Sequence, residues 1–274
     1  MERLFLDEPF RTLWKGKDPF REAFALAGED FREVKSRRTT RFELDGKGYF
    51  IKKHFGIGLK EYLKDLFQLK KPVTGAGQEF DALNLLREKG IPTMKVAAFG
   101  SRGTGSIREK SFLVTRELSC VTSLEDFCLA RGKNLELSLR RRLIRALAES
   151  AGKMHRAGLN HRDCYICHYL LDRKKLEAGE YVLYVIDLHR AQIRKKVPER
   201  YLVKDLAGLY FSAVSGTRLT RHDVYRFLEA YFLLPLPVIF ARYSHLLEKV
   251  QDTAEALFEK ENGSKMPRLF SGKP

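Results

Sequence analysis

Asn160-His161-Arg162-Asp163-Cys164-Tyr165-Ile166-Cys167-His168-Tyr169-Leu170-Leu171 sets a polar His-Arg-Asp triplet directly before an apolar run. A second acidic cluster, Val185-Ile186-Asp187-Leu188-His189, follows, led in by the strand-like run Tyr181–Ile186. Phosphoryl transfer to an alcohol requires such a pair. One carboxylate must stand beside the attacking hydroxyl and accept its proton. The other must hold Mg²⁺ against the nucleotide phosphates, because a hard cation takes oxygen ligands. Asp163 fits the first role and Asp187 the second. Alone, His-Arg-Asp is a weak signal and most often a surface turn. Its surroundings strengthen it: a long amphipathic helix before it, an apolar run after it, and a lysine and a glutamate far upstream.

The 274 residues make one large or two small domains and can bury a sizeable core. The formal charge of +16 is unusual and attracts anions: nucleotide, nucleic acid, an anionic bilayer or an acidic protein. No stretch approaches the roughly 20 apolar residues of a membrane span. Met1–Asp7 contains no long apolar region of the kind that heads a signal peptide. The expected location is therefore cytoplasmic. The four cysteines, Cys120, Cys128, Cys164 and Cys167, are expected to be reduced there. Cys164-x-x-Cys167 has His161 and His168 beside it, but Cys120 and Cys128 do not form a second such pair. Small packing thiols explain the motif better than a metal or redox centre.

Taken in order, Asp18-Pro19 opens a helix to Leu26, with Asp as N-cap and Pro at the first helical position. The period then shifts towards two. Phe31–Val34, Arg41–Leu44 and Tyr49–Lys53 read as strands, with the turn Asp45-Gly46-Lys47-Gly48 between the last two. The first link, Lys35–Thr40, lies where protein kinases cover phosphates with a glycine-rich loop. It has no glycine, and Ser36, Arg37 and Thr39 are the candidates to meet phosphates through hydroxyls, backbone N–H groups and charge. A solvated basic hairpin is the competing reading.

Lys52 ends Tyr-Phe-Ile-Lys and aligns with the strand lysine that contacts nucleotide phosphates in kinases. Lys53 competes, since neighbouring strand residues face opposite ways. Leu59–Lys71 reads as an amphipathic basic helix, either packed on the small lobe or touching a membrane surface. A helix from about Gln78 to Lys89 presents Glu79 as the ion-pair partner of Lys52. Val96–Phe99 and Ser111–Thr115 complete five strands around the flexible polar loop Gly100–Gly105. Arg116-Glu117-Leu118 is then the hinge, with Glu117 placed to meet adenine through its backbone.

Beyond Thr122-Ser123 the chain becomes helical. Ser138 is the expected cap of a helix to Arg156 whose stripe is Leu139, Leu143, Leu147, Ala151 and Met154. Gly158 closes it and delivers His161-Arg162-Asp163, the expected catalytic residues. Lys204-Asp205-Leu206 begins another helix, where Asp205 is either an anchor for the catalytic loop or a simple N-cap. Thr220–Leu233 and Pro237–Phe258 close the fold, and Glu259–Pro274 reads as a frayed tail. The expectation is an α+β, two-lobed, protein-kinase-like fold. A five-stranded antiparallel small lobe with one helix spans 1–117, and a mainly helical lobe spans 118–258.

His161–His168, Val185–Arg194 and Asp205–Ser212, with Leu13–Asp18 and Arg41–Leu44, resemble the lipopolysaccharide core heptose I kinases, the WaaP/RfaP family. The likeness covers nearly everything but the tail. It implies ATP- and Mg²⁺-dependent phosphorylation of the first heptose of the inner core, on heptosylated Kdo-lipid A at the cytoplasmic face of the inner membrane. It carries over Asp163 as base, Asp187 as metal ligand, and Lys52 with Glu79 as the phosphate-positioning pair. The family's links to tyrosine phosphorylation and to acyl carrier protein come with it, and a small acidic partner suits a +16 chain. Two departures from protein kinases stand out. His168 replaces the asparagine that supplies a second metal ligand, and imidazole suits Mg²⁺ poorly. Asp187-Leu188-His189 lacks the glycine of the usual Asp-Phe-Gly. The basic run Arg190, Arg194, Lys195, Lys196 suits a phosphorylated glycolipid acceptor. The alternatives are a protein or aminoglycoside-type kinase on the same fold and, from charge alone, a nucleic-acid-binding protein. Basic residues are spread along the chain without an RNA-binding aromatic signature, so no nucleic-acid partner is expected.

Overall fold

The computed structural model describes residues 2–34, 37–56, 75–103, 109–131 and 135–269. The expected helix Leu59–Lys71, Ser36 and part of the Gly100–Gly105 loop lie outside them. The chain forms two compact units. One comprises Met1–Asn84, Met94–Ser119 and Leu188–Arg190; the other comprises Leu85–Thr93, Cys120–Asp187 and Ala191–Pro274.

The first unit is built on an antiparallel sheet of β1 (Arg3–Leu6), β2 (Glu29–Val34), β3 (Arg37–Leu44), β4 (Lys47–His54), β5 (Val96–Arg102) and β6 (Lys110–Arg116). Their order is β1-β5-β6-β4-β3-β2. The sheet therefore has six strands, not the expected five. The addition is β1, whose residues pair with Ala98–Ser101 at the sheet edge. Four residues carry too short an alternation to announce a strand, and a neighbour distant in sequence supplies its hydrogen bonds.

Asp45 and Gly46 both take left-handed φ values, 51° and 68°, and Leu44 pairs directly with Lys47. This is the two-residue hairpin that Asp-Gly favours, because both central residues need φ above zero. Lys47 and Gly48 therefore belong to β4 rather than to the turn. Likewise Val34 pairs with Arg37, so Arg37–Thr40 are strand and not loop. The β-branched pair Thr39-Thr40 suits a pleated surface, and the Thr40 hydroxyl donates to Asp30 at 2.6 Å.

One sheet face presents Tyr49, Ile51, Phe112 and Val114 to Phe10, Trp14 and Phe20 of the leading segment. The rings meet edge to face: Phe10 on Tyr49 at 5.2 Å, Phe20 on Phe112 at 5.2 Å, Trp14 on Phe112 at 5.8 Å. Helix Pro19–Ala25 is capped as expected, Asp18 accepting from the Phe20 N–H at 3.1 Å. The opposite face carries the paired row Phe99, Leu113, Lys52 and Thr39. Helix Gly77–Glu88 covers it, with Phe80 stacked on Phe99 at 4.0 Å.

The second unit is mainly helical: Leu124–Arg131, Leu137–Arg156, Glu199–Gly216, Arg221–Phe232 and Leu236–Asn262. Three short strands pair as Leu183–Val185, Tyr169–Asp172 and Val121–Ser123. Leu159–Asn160 pairs with Gln192–Ile193. The cap of the helix leading to the catalytic stretch is Glu136, which accepts from the Ser138 and Leu139 N–H groups. Ser138 lies inside that helix instead of capping it. Gly158, at φ 85°, turns the chain out of this helix; a Cβ there would lie 1.9 Å from the Arg194 carbonyl oxygen.

Thr220 and Asp223 form a reciprocal capping box ahead of Arg221–Phe232. The last helix runs on to Asn262 and stops at Gly263, φ 64°. Residues 259–262 thus belong to the helix and not to the expected frayed tail, and 270–274 lie outside the described residues. Met266 is buried and Arg268 pairs with Asp252 and Glu255, which together hold the chain after the helix. Among the described residues no single helix is long and apolar enough to cross a membrane; Arg221–Phe232 and Leu236–Asn262 pass together only across an 89° bend.

Candidate active site

In the sheet unit, Lys52 leaves β4 on the face covered by helix Gly77–Glu88. Its Nζ meets Glu79 Oε1 at 2.6 Å. Glu79 is buried, and among the described residues its second oxygen, Oε2, has no partner. A buried carboxylate held this way fixes the lysine's position. Thr39 sits across from Lys52 in the ladder and Arg37 across from His54. Both candidate phosphate residues therefore stand on strand β3, on the lysine's face.

Lys53 faces the other way. It is buried and donates to the carbonyls of Phe24, at 3.1 Å, and Leu26, at 2.5 Å, closing the end of helix Pro19–Ala25. The two lysines should separate in a mutant pair. Lys52→Met is expected to lower phosphoryl transfer by the folded protein by about 10–100-fold, beside the stability lost when buried Glu79 loses its cation. Lys53→Met is expected to lower unfolding free energy by about 1–3 kcal/mol while transfer by the folded fraction stays within a few-fold. Turnover and urea midpoints check both, and the reverse pattern would exchange their roles.

Glu117 is gripped by Arg41, whose Nε and Nη2 donate at 2.9 and 2.8 Å. Its own N–H donates to the Gly48 carbonyl at 3.0 Å. Any contact of this residue with an adenine edge would thus run through its carbonyl, not its N–H. His54 is buried on the Lys52 face. Burial, with the positive charges of Arg37 and Lys52, pushes its pKa down to about 3. The unfolded chain takes up a proton near pH 6.5 that the folded chain refuses. Stability should therefore fall as pH drops from about 6.5 towards 3. His54→Asn should flatten that fall by about 1.4 kcal/mol per pH unit in denaturant titrations. Parallel curves for the two proteins would contradict the buried neutral imidazole.

In the helical unit, two segments are stitched together through histidines. His161 is fully buried and donates from Nε2 to the Ile186 carbonyl at 2.9 Å, while burial lowers its pKa. It is a neutral tie to the residue before Asp187. Expected among the catalytic residues, His161 sits here as a buried tie between the loop and Ile186. His168 donates from Nδ1 to the Asp163 carbonyl at 2.7 Å, and its Nε2 lies 3.7 Å from Asp187 Oδ2. One imidazole thus links Asp163 to Asp187. Burial opposes its charge, but Cys167, the Asp163 carbonyl and Asp187 outweigh that and raise its pKa to about 9.

The loop is anchored from beneath by Asp205, inside helix Glu199–Gly216 and therefore no N-cap. Its Oδ2 accepts from the His161 N–H at 2.6 Å and its Oδ1 from the Arg162 N–H at 2.9 Å. His155 Nε2 lies 3.2 Å from Oδ2, and His155 Nδ1 is 2.7 Å from the Tyr231 hydroxyl. His155 and Tyr231 escape a motif reading. The signal available is that His155 follows Ala151 by one helical turn and so falls on the buried side. Arg162 and Asp187 adopt φ values of 75° and 58°. Such values strain a residue with a side chain and persist where the surroundings over-determine the backbone.

Asp187 offers hard oxygen ligands and is partly exposed. Among the described residues no group of three or more His, Cys, Asp or Glu could hold a metal. That donor set suits Mg²⁺, which takes one or two carboxylates and completes its shell with waters and substrate phosphates. It does not suit zinc. All four cysteines are free thiols, and Cys164 is buried with its Sγ 3.5 Å from the Tyr169 hydroxyl, in keeping with packing.

Residues 21–231 match the model of the lipopolysaccharide kinase (Kdo/WaaP) family. The lipopolysaccharide core heptose(I) kinase WaaP of Pseudomonas aeruginosa PAO1 is 48% identical over 260 residues, covering 94% of this chain and 97% of that one. Its namesake in Escherichia coli K12 is 46% identical over 257 residues, 93% and 97% of the two chains. A solved structure, WaaP in complex with acyl carrier protein, superposes with a TM-score of 0.81 at 44% identity, covering 94% of this chain and 100% of that chain. The mixed helix-and-antiparallel-sheet architecture, the Lys52–Glu79 pair and the histidine-linked aspartates accord with these likenesses, and the chain belongs to the lipopolysaccharide kinase (Kdo/WaaP) family.

Proposed function

We propose that this chain is an ATP- and Mg²⁺-dependent kinase that phosphorylates heptose I of the lipopolysaccharide inner core. The observation that carries the chemistry is the His168 bridge, with Nδ1 on the Asp163 carbonyl and Nε2 facing Asp187. The acceptor follows from the names of relatives 46–48% identical over nearly the whole chain.

In this reading Asp163 accepts the proton of the heptose hydroxyl as it attacks. Asp187 supplies a carboxylate oxygen to the metal. Bound Mg²⁺ would supply positive charge to offset that of the triphosphate. Lys52, held by Glu79, donates to nucleotide phosphates, and Arg37 and Thr39 stand on the same face to extend that charge. Asp205 and His161 hold the loop so that Asp163 is preorganised. Arg194, which donates to Asn160 Oδ1 at 2.6 Å, and the neighbouring exposed Lys195 and Lys196 make a basic approach for an acceptor already bearing phosphates. The substrate is heptosylated Kdo-lipid A, met at the cytoplasmic face of the inner membrane. Acyl carrier protein is the acidic partner, on the strength of the solved WaaP complex.

The test is a labelled-ATP assay with Mg²⁺ and three acceptors: heptose-bearing lipopolysaccharide lacking core phosphate, a Kdo-only acceptor and a tyrosine peptide. Label on the heptose-bearing acceptor alone is expected. Equal label on all three, or label on the peptide alone, would reject the heptose reading.

A further inference from the structure

On the flank of helix Leu137–Arg156, within the helical unit, lies an open cavity of about 780 Å³. Arg141, Arg142, Arg145, Lys153 and Arg226 line it. Among the described residues lining it, Glu149 is the one carboxylate. The residues of the catalytic loop do not contribute to it.

The charges recur at helical spacing on a face turned away from the Leu143, Leu147 and Met154 stripe, so one side of the helix feeds the core and another the cavity. Arg141 and Arg145 are a like-charged i, i+4 pair, an arrangement that weakens a helix. Among the described residues neither they nor Lys153 engages an acidic partner, although Glu149 lies one turn from both Arg145 and Lys153. Arg142 stands over the Tyr181 ring at 5.5 Å, which restrains its guanidinium at the rim. Gly90 and Gly179 contribute bare backbone to the opposite wall.

A solvated basic helix face would share these charges. Ser150 separates the two cases. It lines the cavity, is 9% exposed, and among the described residues its buried hydroxyl has no hydrogen-bond partner. A buried hydroxyl left unpaired is unfavourable, and it becomes satisfied when an acceptor enters. A multiply charged oxyanion pairs with the guanidinium forks and accepts from the hydroxyl together.

We propose that this cavity binds a terminal phosphate group, as found on a phosphomonoester or a pyrophosphate, at an anion site distinct from the His168-linked aspartates of the same unit. The source is either a lipid headgroup or a soluble phosphate. In the full chain saturated with AMP-PNP and Mg²⁺, titration with inorganic pyrophosphate is expected to show one further equivalent bound. Arg145→Ala/Lys153→Ala should weaken that binding by at least about tenfold. Ser150→Ala should weaken it by about threefold. Arg242→Ala/Lys260→Ala, which removes equal charge from another helix, should change it by less than about twofold. The substituted cations are exposed, and phosphoryl transfer with unchanged thermal midpoints reports an intact fold. Equal losses in both double variants, or no further equivalent, would overturn the proposal. Vesicles carrying phosphatidic acid, against phosphatidylglycerol vesicles matched in surface potential, separate the sources. A preference for phosphatidic acid lost in Arg145→Ala/Lys153→Ala assigns a lipid headgroup, and pyrophosphate binding without that preference assigns a soluble ligand.

Discussion

Asp163→Ala is expected to lower phosphoryl transfer by about 10²–10⁴-fold, the range a positioned general base supplies, with an unchanged far-UV spectrum and thermal midpoint. The side chain is partly exposed. The loop geometry is held by main-chain and neighbouring groups: the Asp163 carbonyl accepts from His168, and the two preceding N–H groups donate to Asp205. Removing the carboxylate therefore deletes a proton acceptor without dismantling its support. Asp163→Asn keeps the volume and should be nearly as slow, because an amide does not take the proton. Turnover within about threefold of wild type in either variant would remove Asp163 from the chemistry.

The second large effect falls on stability. Asp205→Ala strips the partner from the His161 and Arg162 N–H groups and from His155, all within a buried network. Leaving buried donors unpaired costs about 1–3 kcal/mol each, so a loss of about 3–5 kcal/mol is expected. For a chain of this size that amounts to a fall of about 5–9 °C in thermal midpoint. Activity should fall as well, through the loop and not through contact with substrate. Asp205→Asn keeps one acceptor oxygen and should be intermediate in both measurements. An Asp205→Ala protein with a wild-type midpoint would show that the loop is held by something else.

The chain's motifs made the chemistry legible because phosphoryl transfer demands particular residue types at particular places. The Lys52–Glu79 pair expected from their neighbours forms, at 2.6 Å. The choice of Lys52 over Lys53 was not decidable from alternation, since both faces of β4 are covered. It depends on which face meets Glu79 and which meets the Phe24 and Leu26 carbonyls, contacts distant in sequence. β1 was hidden for a similar reason, as its hydrogen bonds come from residues about a hundred positions away. The phosphate-side hairpin was drawn too long because arginines and threonines read as polar loop, yet here they alternate along a strand. Glu136 escaped as a cap because glutamate seldom serves as one, and Ser138 offered a better-looking candidate. The burial of His161 is invisible in a tripeptide, because it depends on packing from elsewhere in the chain. The Asp205–His155–Tyr231 chain joins three helices, and no local pattern announces it.

We propose that two carboxylates divide the work, Asp163 taking a proton and Asp187 holding the metal. Electron spin resonance of Mn²⁺ with ATP, on wild type, Asp163→Asn and Asp187→Asn, separates the roles directly. Asp163→Asn should bind metal and nucleotide within about threefold of wild type while losing turnover. Asp187→Asn should weaken metal-dependent nucleotide binding by more than about tenfold. Equal binding by the two variants, or loss confined to Asp163→Asn, would contradict it.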